Sequence, residues 1–160
     1  MKEADMTKSE SIRPVTPADL PALKTVIDST ELFPSEMLDD MIAGYFAGEE
    51  EAGFWLTYDD GEPVAVAFCV PERMTEGTWN ALLLAVRPDR QGKGLGAALM
   101  NDIEQTLARR EERILLVETS GLDAFERTRN FYRKNGYEEE ARIREFYAEG
   151  EDKIVFRKAL

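Results

Sequence analysis

The chain has 160 residues, 43% of them hydrophobic and 32% charged, a composition that suits one domain able to bury its core without disulfides or metals. No apolar run approaches the roughly 20 residues that span a bilayer, and the polar start Met1–Asp5 has no apolar segment behind it, so neither a membrane span nor a secretory leader is expected and the cytoplasm is. The net charge of −12, from 32 acidic against 20 basic residues, repels nucleic acid and anionic membranes and favours a cationic or amine ligand, although plain solubility explains it equally well.

Residues 1–10 show no apolar period and are expected to form a disordered tail, with residues 11–160 as the single domain. Ser11–Val15 reads as a short strand that Pro14 confines to an edge. Thr16-Pro17-Ala18-Asp19 starts a helix with a capping hydroxyl, a proline at the first position and a carboxylate three residues on. Leu20, Leu23 and Ile27 line its apolar face, and a second helix is predicted from about Ser35 to Phe46, ended by Gly48.

Gly53–Tyr58 and Pro63–Val70 read as a hairpin around Asp59-Asp60-Gly61-Glu62. The second strand carries Cys69, the single cysteine, as a buried structural thiol. A linker containing Glu76-Gly77 and then Thr78–Ala81 leads into the apolar strand Leu82–Val86. After Pro88 come three alternating glycines, Gly92, Gly94 and Gly96, and an amphipathic helix with Leu95, Leu99, Ile103 and Leu107 every fourth residue. Arg113–Thr119 is a near-continuous apolar strand of the parallel type, closing a βαβ unit around the glycine turn. A helix from Ala124 to Lys134, stopped by Asn135-Gly136, precedes two strands near Glu139–Tyr147 and Lys153–Lys158.

The glycine turn is the stretch with chemical content. The first N–H groups of a helix lack intrahelical partners, and a glycine-lined start lets a pyrophosphate approach them. The spacing is not that of a nucleotide-binding P-loop, because Lys93 is followed by Gly94 and no hydroxyl is placed for magnesium, nor is it G-x-G-x-x-G. The absence of histidine removes Ser-His and Cys-His nucleophiles and His-ligated metals, leaving Glu, Asp, Tyr, Lys or water to move protons. No metal site is expected.

Two segments about 40 residues apart carry a family resemblance. Gln91-Gly92-Lys93-Gly94-Leu95-Gly96, with Val86-Arg87-Pro88 before it, is similar to an R/Q-x-x-G-x-G/A motif, and Phe131-Tyr132-Arg133-Lys134-Asn135-Gly136-Tyr137 to an aromatic-Tyr-x-x-x-Gly-aromatic signature. Together they resemble the GCN5-related N-acetyltransferase (GNAT) superfamily, the acetyl-CoA-dependent amine acetyltransferases. The resemblance implies an α/β (α+β) single domain with a mixed, mostly antiparallel sheet of about seven strands, strands four and five parallel and splayed, and about four helices.

It further implies acetyl-CoA as acetyl donor. Backbone groups of Gln91, Gly92, Lys93, Gly94, Leu95, Gly96 and Ala97 would hold the pyrophosphate, and the pantetheine would pair with Leu84, Ala85 and Val86 like an added strand. Val86 N–H would polarise the thioester carbonyl and Tyr132 would protonate the departing thiolate. Where many members carry a glutamate this chain has Asn80, which would hold a water or the amine, so Glu118 is the expected base. Phe125 stands where an asparagine is frequent, and Asn130 is the local alternative for that coenzyme contact.

Acceptor contacts would come from among Glu31, Phe33, Glu36, Trp55, Trp79, Arg144, Phe146 and Tyr147. The expected partner is a small-molecule or peptide amine, not a nucleic acid or a membrane, and a homodimer is the commonest assembly on base rates. The competing function is a coenzyme A-binding sensor with little catalysis.

Overall fold

The computed structural model describes residues 8 and 10–160; the other residues of the expected tail, 1–7 and 9, lie outside the described residues. One seven-stranded sheet runs in the order β1-β2-β3-β4-β5-β7-β6, with β1 Ile12–Pro14, β2 Phe54–Asp59, β3 Pro63–Pro71, β4 Thr78–Val86, β5 Ile114–Ser120, β6 Glu138–Ala148 and β7 Glu151–Ala159. The described residues form four α-helices: α1 Leu20–Thr30, α2 Leu38–Phe46, α3 Leu95–Arg109 and α4 Glu126–Lys134. Every strand pair is antiparallel except β4 with β5. This is the mixed sheet with one parallel pair that the resemblance implied.

Two cores sandwich the sheet. Leu23, Val26 and Ile27 of α1 and Leu38 and Ile42 of α2 pack on Trp55, Val66, Phe68, Leu83 and Ala85 of one face. Leu95, Leu99, Met100, Ile103 and Leu107 of α3, with Tyr132 of α4, cover the other face at Leu56, Ala67, Cys69, Ala81 and Val117. The fourfold spacing of apolar residues in α3 puts all five on one side, and each buried side chain of this kind stabilises the fold by about 1.5–3 kcal/mol.

Boundaries differ from expectation where local hydrogen bonding decided them. Thr78–Ala81 belongs to β4, because it pairs with both β3 and β5. Both helices expected at 35–46 and 124–134 begin with a 3-10 turn, Ser35–Met37 and Asp123–Phe125, before the α-helix proper. The capping sequence at Thr16–Asp19 forms as predicted, and Asp19 also receives a two-pronged grip from Arg13 at 2.8 and 2.7 Å. β1 is an edge strand, as Pro14 requires.

Candidate active site

The site starts from one extra residue. Phe68 of β3 pairs with Leu83 of β4, but the next residue, Cys69, pairs with Ala81, so Leu82 is a bulge. The insertion exchanges the faces of β4: Trp79 and Ala81 point into the core under α3, whereas two and four residues later Leu83 and Ala85 point into the core under α1 and α2. The parallel ladder with β5 stops at the same place, its last pair being Ala81 with Val117. Beyond it β5 keeps only β7 as partner, through Glu118, Thr119 and Ser120.

From Leu82 onward one edge of β4 is therefore free of a strand. Arg87 N–H donates to the Val64 carbonyl of β3 at 2.9 Å, so strand alternation turns the polar backbone groups of Val86 and Leu84 to the opposite edge. The Val86 carbonyl there accepts from Gln91 Nε2 at 2.9 Å. Ala85, expected beside the coenzyme, is alternate to both: its side chain lies in the α1–α2 core and its backbone groups face β3.

The free edge opens on a cavity of about 510 Å³ that joins the two sequence signatures. One wall is Leu84, Val86 and the turn through Gln91, Gly92, Gly94, Leu95, Gly96 and Ala97; the other comes from α4, with Phe131, Tyr132 and Asn135. Gly94 caps α3 at φ +83° with no side-chain cap, leaving the first N–H groups of the helix without an internal acceptor. At Gly96 a Cβ would stand 3.4 Å from Phe131 and 3.8 Å from Leu84, so a larger residue would narrow the cleft between α3 and α4. Lys93 is exposed on the turn.

Asn130 is not in this cavity. It accepts a hydrogen bond from Arg133 at 2.9 Å and lines a neighbouring hollow of about 570 Å³, because it falls on a different side of α4 from Tyr132. Asn135 supplies the amide in the cleft instead, held by its Nδ2 donating to the Phe131 carbonyl at 2.8 Å.

Tyr132 is 7% exposed and edge-packed against Phe131 and Tyr137. Burial pushes its phenol up to about 12, so it carries its proton at neutral pH. Among the described residues its hydroxyl has no hydrogen-bond partner. Tyr137, by contrast, donates to Glu104 at 2.5 Å and is pushed further up by burial and by that carboxylate. Cys69 is fully buried and its thiol is pushed up by burial, which leaves it inert as a nucleophile.

Side chains meet at the other end of the splay. Asn80, 1% exposed, donates through Nδ2 to Glu118 Oε1 at 2.9 Å and to Glu72 Oε1 at 3.0 Å. Glu118 Oε2 is 2.9 Å from Lys153 Nζ, which sits 4.0 Å above the ring of Phe146. Tyr147 is pushed up first by burial, then by the charges of Glu118 and Glu151. Asn80 Oδ1 is buried without a donor, a burial that costs about 1–3 kcal/mol, so the amide is held wholly by what its nitrogen does for the two carboxylates.

Glu72 and Lys153 were not legible as site residues, since each looks like an ordinary charge next to a turn. Of the expected acceptor contacts, Phe146 and Tyr147 lie at this end. Trp55 is a core residue stacked on Phe68 with centroids 4.1 Å apart, and Trp79 packs against Phe54.

A bulged strand that parts from its parallel neighbour beside a glycine-capped helix is the arrangement that the resemblance implied. Residues 50–139 match the family model described as the acetyltransferase (GNAT) domain. An uncharacterized N-acetyltransferase of Methanocaldococcus jannaschii is 27% identical over 150 residues, covering 92% of this chain and 90% of that protein. A GNAT-family protein from Desulfovibrio desulfuricans, known as a crystal structure, is 30% identical with TM-score 0.85, over 92% of this chain and 97% of that one. A Salmonella typhimurium protein solved with its cofactor acetyl-CoA shares the fold at 18% identity and TM-score 0.74, over 93% and 92% of the two chains. The chain belongs to the GNAT acetyltransferase family.

Proposed function

We propose that the protein moves an acetyl group from acetyl-CoA to a primary amine by direct attack in a ternary complex. The observation that carries this reading is one cleft lined by the free β4 edge, the uncapped start of α3 and Tyr132. These groups fit a coenzyme with an anionic middle and an amide-bearing arm: unpaired N–H groups at Leu95–Ala97 suit the pyrophosphate, and the edge at Leu84 and Val86 suits the arm. When bound, the coenzyme supplies an activated acetyl thioester.

Val86 N–H, turned to the free edge, stabilises the negative charge that grows on the carbonyl oxygen. Glu118 takes the proton of the incoming ammonium; Asn80 fixes its carboxylate and Lys153 balances its charge beforehand. Tyr132, protonated at neutral pH, returns a proton to the leaving sulfur. Direct attack is supported by the chain's own inventory, which has no histidine and one sealed cysteine. Small molecules and peptides with a primary amine are the proposed acceptors.

The test is thiol release from acetyl-CoA across a panel of amines, with the Tyr132→Phe enzyme alongside. Turnover lost in that variant supports the reading. Coenzyme A binding with no turnover of any amine would favour a sensor, a role suggested by Glu118 having donors on both oxygens. An isolable acetyl-enzyme would overturn direct attack.

A further inference from the structure

The glycine turn has a neighbour from the far end of the chain. One ladder row crosses four strands, Ile12 with Tyr58, Tyr58 with Ala65 and Ala65 with Val86, and β1 runs antiparallel to β4. The chain just before Ile12 and the chain just after Val86 therefore leave the sheet at the same end. The Lys8 carbonyl accepts the Ser11 N–H at 3.1 Å, and the Ser11 carbonyl accepts from Asp59, which anchors this segment to the end of β2. Lys8 is half-buried, and its ammonium lies against Gly94: a Cβ on that residue would stand 2.7 Å from Lys8 Nζ.

That placement is electrostatically wrong for the protein alone. The N-terminus of a helix carries partial positive charge and repels a cation beside it. The chain has 32 carboxylates, yet Lys8 forms no ion pair with one among the described residues. An ammonium held beside uncapped helical N–H groups makes sense when an anion accepts from both. Gly94 is needed for its φ of +83°, and its bare face also admits the lysine.

We propose that Lys8 is a coenzyme ligand: its ammonium binds the pyrophosphate of coenzyme A from the β1 side, opposite the wall formed by α4. The proposal rests on the coenzyme A reading of the cleft. It assigns a binding role to a segment that sequence reasoning set aside as tail.

Isothermal titration of coenzyme A into the full-length protein tests it. Lys8→Ala is expected to weaken binding about tenfold, the worth of one charge-assisted hydrogen bond, with Lys8→Arg within about twofold of wild type. Lys24→Ala, which removes one positive charge from the solvent face of α1, is expected to change nothing and controls for net charge. The thermal midpoint of Lys8→Ala without coenzyme should hold or rise, since a repulsion at the start of α3 is relieved; a purely structural lysine would lower it. With 3′-dephospho-coenzyme A the Lys8→Ala penalty should persist. Its disappearance would overturn the assignment to the pyrophosphate. Unchanged coenzyme affinity in Lys8→Ala would overturn the proposal while leaving the cleft intact, whereas failure of the wild type to bind would remove the coenzyme reading itself.

Discussion

At the proposed coenzyme site, most of the lining residues belong to one stretch, Leu84 to Ala97, and would act through the main chain. At the proposed acceptor site, Asn80, Glu118 and Lys153 come from three strands and Glu72 from just beyond a fourth, β3, and they would act through side chains. The first end depends on backbone conformation, which neighbours in sequence control. The second depends on a network whose members are useful only together, because each satisfies or neutralises another. Loss of one glycine should therefore damage one function, while loss of Asn80 should disturb two carboxylates at once.

Substitutions ranked by expected effect can break or sharpen that contrast. Tyr132→Phe should lower kcat about a hundredfold or more with little change in coenzyme affinity, measured by steady-state kinetics and titration; an unchanged kcat would remove Tyr132 as the acid. Gly96→Leu should weaken coenzyme A binding more than about tenfold by filling the gap to Phe131 and Leu84, with a smaller effect on the KM for amine. If both constants moved equally, the two ends would not be separable.

Glu118→Gln should cut kcat/KM for the amine by about tenfold or more while coenzyme A titrates as in the wild type. Asn80→Ala should do the same and also cost about 1–3 kcal/mol of stability in denaturant, since Glu72 and Glu118 both lose a donor. A stability loss without a kinetic one would make the network purely structural.

Asp19 lies outside both ends and provides a control. Hydrogen bonds from Arg13, aided by Thr16 and opposed by burial, hold its carboxyl at about 2 against an ordinary 3.8. The depressed value stabilises the fold above the unfolded pKa by about 2 kcal/mol, and that contribution is lost as pH falls from about 4 towards about 2. Urea unfolding between pH 5 and pH 2.5 should show less acid sensitivity in Asp19→Asn than in wild type, with both kinetic constants unchanged at neutral pH. Lys93→Ala, on the exposed turn, should alter coenzyme affinity by less than about threefold.

The legibility of the two ends follows the same division. Gly92 and Gly94 announce a turn and an uncapped helix because a backbone at positive φ favours glycine, and Leu95, Leu99, Ile103 and Leu107 announce the face that helix buries. The bulge at Leu82 was not legible: nothing in Ala81-Leu82-Leu83 differs from an ordinary apolar strand. Ala85 was expected at the coenzyme as part of the strand Leu84–Val86 and Asn130 as the local alternative to Phe125, while strand alternation after the bulge and the helical turn of α4 leave both off the cleft lining. Asn80 and Glu118 were both singled out, but neither their hydrogen bond nor its extension to Glu72 follows from their places in the chain.

Local sequence by itself determined the order of helices and strands, the two amphipathic layers, and a glycine-capped helix start fit for an anion. Those features rest on contacts between residues a few positions apart. Tertiary structure alone decided where β4 and β5 part, which backbone groups face the gap, and which charges meet beside it. These depend on pairings such as Asn80 with Glu118, 38 residues apart, whose closeness exists only once the sheet has assembled.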